Sequence, residues 1–72
     1  MIENNTIIKF NYNSVTEEYK KEYYSKFQDK KYLFMGEIKQ MPGHCVVCDF
    51  ESGEMIIGYH THNFIEVANN EI

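Results

Sequence analysis

Residues 44–67 limit the possible folds more than any other part of the chain. Ser52-Gly53 sits between two β-branched apolar runs, Val46-Val47 and Ile56-Ile57. Such residues are stiff at χ1 and suit a pleated surface, and glycine supplies the positive φ of a tight turn. The spacing predicts a strand at 44–50, a turn, and a strand at 54–60. If Glu51 opposes Glu54, then Cys48 opposes Ile57, Cys45 opposes His60 and His44 opposes Thr61. Side chains alternate between faces along a strand. Asp49 prefers water, which draws Cys45 and Val47 to the solvent face. Val46, Cys48 and Phe50 are then expected inside.

The flanking segments follow from the same rules. Residues 6–12 predict a strand with Ile8, Phe10 and Tyr12 on one face. Ser14-Val15-Thr16-Glu17 has the pattern of a capping box, opening a helix over 15–29. Val15, Tyr19, Tyr23 and Phe27 recur every four residues and form an apolar stripe expected to pack on the sheet. Glu17 with Lys21 and Glu22 with Lys26 have the spacing of favourable pairs on the opposite side. Residues 32–39 predict a strand in which Gly36 marks a bulge. Met41-Pro42-Gly43 is a turn. A short helical turn at 61–64 and a strand at 65–68 complete the chain, with 69–72 as a frayed tail. The order is strand, helix, four strands: an α+β, mostly β, single domain.

Gly58-Tyr59-His60-Thr61-His62-Asn63-Phe64-Ile65-Glu66-Val67 resembles the closing signature of SH3 domains. That signature runs Gly, two residues, Pro, one residue, Asn-Tyr-Val, one residue, Leu. Gly58, Asn63, Phe64, Ile65 and Val67 match in identity or class, and Thr61 stands in place of the proline. Ser52-Gly53-Glu54 resembles the preceding hairpin turn, and Phe10-Asn11-Tyr12 resembles part of the family's first motif. The resemblance implies a five-stranded SH3-like barrel, with the amphipathic helix inserted between the first and second strands. It also implies a binding surface of Phe10, Tyr12, Asn63 and Phe64, with Phe64 pointing outward while Ile65 and Val67 face the core. The alternative is that Phe64 packs beneath the helix. Three departures argue against polyproline binding: the chain has no tryptophan, a helix replaces the acidic loop, and Phe64 lacks the hydroxyl.

Size and charge narrow the function. A chain of 72 residues is one domain and buries only about 60% of its unfolded surface, so its stability is marginal. The net charge is −4, every lysine lies at or before Lys39, and there is no arginine. Arginine is the usual partner of phosphate and guanine, so the composition argues against nucleic acid and against an anionic membrane. No apolar run approaches the length of a membrane span, and the first residues lack the pattern of a leader. A cytoplasmic setting with reduced thiols is the expectation. Heavy use of Asn, Lys, Ile and Tyr suggests an AT-rich genome, such as that of a phage or other mobile element.

Two sets of side chains could carry chemistry. Cys45, Cys48, His60 and His62 include the ligand types of structural zinc. In a strand, however, Cys45 and Cys48 face opposite ways, about 10 Å apart. Cys45, His60 and His62, with His44 nearby, remain as a possible zinc or nickel set. Cys45 with His60 as base could act as a nucleophile, but no third group orients the base, and the expectation is no enzyme and no cofactor. The reading is a non-enzymatic small binding protein with a protein partner, in the style of a mobile-element inhibitor of host machinery. The alternatives are the metal-binding module and a small-ligand sequestering protein with its pocket at a homo-oligomer interface.

Overall fold

A computed structural model describes residues 2–68, so the tail expected at 69–72 lies outside the described residues. Alternating burial marks the first three strands. β1 (Ile7–Phe10) buries Ile8 and Phe10, β2 (Tyr32–Glu37) buries Tyr32 and Phe34, and β3 (His44–Asp49) buries Cys45, Val47 and Asp49. With β4 (Met55–His60) and β5 (Phe64–Glu66) they form one antiparallel sheet in the order β4-β3-β2-β1-β5. The α-helix α1 (Glu17–Phe27) lies between β1 and β2, as its stripe and position predicted. One-turn 3-10 helices follow β1 (Tyr12–Ser14) and lead into β5 (Thr61–Asn63), the second where a helical turn was expected.

The β3–β4 hairpin exists, but its register and its faces differ from expectation. Cys48 opposes Met55, Val46 opposes Ile57, and beyond a bulge Cys45 opposes Tyr59 and His44 opposes His60. The connection is a wider loop than Ser52-Gly53 alone. The Asp49 amide donates to the Glu54 carbonyl and the Gly53 amide to the Asp49 carbonyl. The Asp49 carboxylate accepts the amides of Glu51 and Ser52 at 2.9 and 3.1 Å, and Lys30 Nζ lies 3.4 Å away. These donors replace water, so Asp49 is buried and takes Cys45 and Val47 inward with it. Cys45 is therefore the core thiol, Cys48 lies on the outer face, and Phe50 is exposed at the loop.

Two glycines sit where the ladder breaks. Gly36 has φ +131 at a register shift between Phe34 and Gly36, the bulge expected in β2. Gly58 has φ +101 and is the extra residue at the β4 bulge opposite Cys45 and Val46. Both conformations are ones that residues with a Cβ rarely adopt.

The helix is anchored by its C-terminal half. Phe27 is buried and Tyr23 half-buried, whereas Tyr19 is exposed. A four-residue step drifts roughly 40° around a helix with 3.6 residues per turn, so the stripe winds off the contact line. The expected capping box is absent. Thr16 is the N-cap, without a side-chain bond, because the Ser14 hydroxyl is engaged with the Asn11 carbonyl and Asn63 Oδ1. Glu17 pairs with Lys20 at 2.6 Å rather than with Lys21, and Lys26 lies over the rings of Phe27 and Tyr59.

Phe27 is the hub of the core. It stacks on Phe10 with ring centres 4.4 Å apart and meets Tyr32, Tyr59 and Phe64 edge-on. Ile8, Phe34, Cys45 and Val47 line the sheet side of the same cluster. Val67 is buried as expected, while Ile65, expected inside, is 40% exposed.

Candidate functional site

The four residues named by the SH3 resemblance do not form an exposed patch. Phe10 and Phe64 are buried, 3% and 4% exposed, within the aromatic cluster that α1 covers. Phe64, expected to face outward, is turned inward because its ring packs against Tyr59 and Tyr32 as β5 begins. Tyr12 leans its ring on Phe10 and Tyr24. Asn63 joins two segments: its carbonyl accepts the Asn11 amide at 2.7 Å and its side chain accepts the Ser14 hydroxyl at 3.0 Å. The asparagine thus holds the start of the 14–27 segment against the approach to β5.

The apolar surface lies instead on the outside of the sheet. Pairing places Ile7 beside Leu33, Leu33 beside Cys48, and Cys48 beside Met55, a row across four strands. A second row runs through Gly36, Val46 and Ile57. No charged side chain falls within either row. Ile57 is 73% exposed, Met55 51%, and Phe50 at the loop 57%. Exposed Met35 follows Phe34 at the β2 bulge. These rows end at β4, an edge strand whose six residues, Met-Ile-Ile-Gly-Tyr-His, contain neither charge nor proline. Edges of this kind leave backbone groups open to pairing, and charge or proline is the common means of blocking them.

Beyond the second row lie three imidazoles. His44 and His60 are cross-strand partners with ring centres 4.3 Å apart, and His62 follows His60 at 5.5 Å. His44 Nδ1 is 3.1 Å from the Pro42 carbonyl, to which it donates when protonated at that nitrogen. Cys45, expected to join them, does not. It opposes Tyr59 and points into the core, so the set Cys45, His60 and His62 is not assembled. Burial pushes the Cys45 thiol up, the nearby Thr61 hydroxyl draws it back, and Glu37 raises it again. The buried Thr61 Oγ1 has no conventional hydrogen-bond partner among the described residues. Cys45 and His60 lie on opposite faces of the hairpin, so the expected pairing of thiol and imidazole base is not formed. As the side chains stand, no group of three or more His, Cys, Asp or Glu among the described residues is arranged to hold a metal ion.

Open clefts flank the helix. One of about 390 Å³ includes Lys9, Tyr12, Tyr24, Lys30 and Lys31, and one of about 150 Å³ includes Tyr23, Lys26 and Tyr59. Among the described residues, no helix is long and apolar enough to cross a membrane. No family model, curated protein or solved structure matches this chain.

Proposed function

We propose that this chain works by binding another protein, and that the outer face of β2, β3 and β4 is where it does so. The observation that carries the reading is the charge-free apolar double row ending on an unblocked edge strand, with Ile57 73% exposed. A surface of that kind on a small domain marks an interaction site. The fitting occupant is an extended segment of a partner protein. Its backbone pairs with the free side of β4, and its alternate apolar side chains continue the rows through Met55 and Ile57. The strand order, and the 3-10 turn before β5, also support the SH3-like barrel. Tyr59 on one sheet edge and Phe64 on the other bring their rings within 5.7 Å, as closure would require.

Selection of random extended peptides against the full chain tests the reading. Selected peptides are expected to shift the backbone amide resonances of β4 and to lose at least tenfold in affinity against Ile57→Lys. Peptides that instead shift the Tyr12 and Tyr24 cleft, or that bind the variant equally well, overturn it. A β4-to-β4 dimer of the chain alone, seen by sedimentation, would replace the foreign strand with a second copy.

A further inference from the structure

The histidines at the end of the β3–β4 hairpin are not used by the strand-pairing surface. His44 opens β3, His60 closes β4, and His62 sits in the 3-10 turn that follows. We infer that His44, His60 and His62 together bind a divalent late transition ion, of the Cu²⁺, Ni²⁺ or Zn²⁺ class, on the outer side of the hairpin.

Two observations lead there. The first is spacing. Two imidazoles sharing one ion at about 2.0–2.1 Å from each nitrogen hold their ring centres roughly 4.5–5 Å apart. The His44–His60 separation of 4.3 Å and the His60–His62 separation of 5.5 Å bracket that span. His60 is the shared member, so a single ion has to sit beside it. The second is orientation. Histidines that hold metals usually give their other ring N–H to a carbonyl or carboxylate, which fixes the tautomer. The Pro42 carbonyl, 3.1 Å from His44 Nδ1, is placed to do this and leaves Nε2 as the ligating lone pair.

The site forms by rotation of exposed rings. The backbone pairing of His44 with His60 is already set by the hairpin. His60 and His62 are exposed, and their χ angles can turn without disturbing the core. His44 and His60 make the chelating pair, His62 supplies the third nitrogen, and water fills the remaining positions. Neutral imidazole suits copper, nickel and zinc, and the affinity order for such nitrogen sites puts copper first.

Calorimetric titration of the tag-free chain with Cu²⁺, Ni²⁺ and Zn²⁺, in a buffer that does not coordinate metals, tests the site. The expected result is one ion per chain, with copper tightest. His60→Gln should weaken binding at least tenfold, and His44→Gln and His62→Gln should each weaken it less. Ni²⁺ should broaden the imidazole proton resonances of all three residues in the native chain. Amide spectra of each variant should match those of the parent, so that lost binding is not lost folding. Unchanged affinity in His60→Gln overturns the inference. So does binding that survives replacement of all three histidines and disappears with Cys48→Ser, which would move the ion to the half-buried Cys48 thiol.

Discussion

At the residue scale, two side chains decide which way the molecule faces. Phe27 is the contact through which α1 joins the sheet. Truncating a buried phenylalanine of this kind costs about 3–5 kcal/mol. A domain of 72 residues has little more than that in total. Phe27→Ala is therefore expected to be largely unfolded in water by urea titration, while Tyr19→Ala on the exposed side stays within about 0.5 kcal/mol of the parent. Asp49 is the other. The amides of Ser52 and Glu51 hold its carboxyl below the ordinary value, burial opposes them, and Lys30 adds to the lowering. A carboxyl depressed in the folded state contributes stability above its unfolded pKa. That stability is lost as pH falls through the folded value. Asp49→Asn should lower the melting temperature by several degrees at neutral pH, and the difference from the parent should shrink as acid is added. An unchanged difference across that range would mean the carboxylate's charge plays no part. The same residue explains the largest failure of sequence reasoning. An aspartate in a strand reads as a solvent marker, and its turn amides, the loop width and the lysine that follows α1 are visible only once the chain is folded.

At the element scale, the strands, the helix and the Gly36 bulge were legible because each rests on local rules: alternation, a four-residue stripe, and glycine in a strand. Register was not legible. The loop beyond Asp49 sets Cys48 against Met55, two residues from the expected register, and the β4 bulge at Gly58 (φ +101) returns one of them, leaving Cys45 against Tyr59. Gly58→Ala forces a Cβ into that conformation, and a cost of about 1–3 kcal/mol is expected. Nothing lies within 4 Å of the position a Cβ would take, so the cost is backbone strain alone and not a clash. Denaturant midpoints test it, and a neutral result would mean that the bulge relaxes. The helix end offers the reverse case. Asp29 takes φ +59 just beyond the C-cap Gln28, a conformation that glycine adopts more easily. Asp29→Gly should therefore raise the midpoint slightly or leave it unchanged. The expected capping box does not form for a different reason: the Ser14 hydroxyl bonds to Asn63, a residue 49 positions away.

At the scale of the whole molecule, the face assignment decides the candidate site. One face of the sheet carries Ile8, Phe34, Cys45 and Val47 against the aromatic cluster, and the other carries Leu33, Cys48, Met55 and Ile57 to the surface. The two cysteines report on the two faces without any substitution. A colorimetric thiol reagent added to the native chain should modify one thiol quickly, and peptide mapping should place it at Cys48. Cys45 should react only once denaturant opens the core. Cys45 reacting first, or both thiols reacting at one rate, would contradict the assignment and remove the outer face as the binding surface.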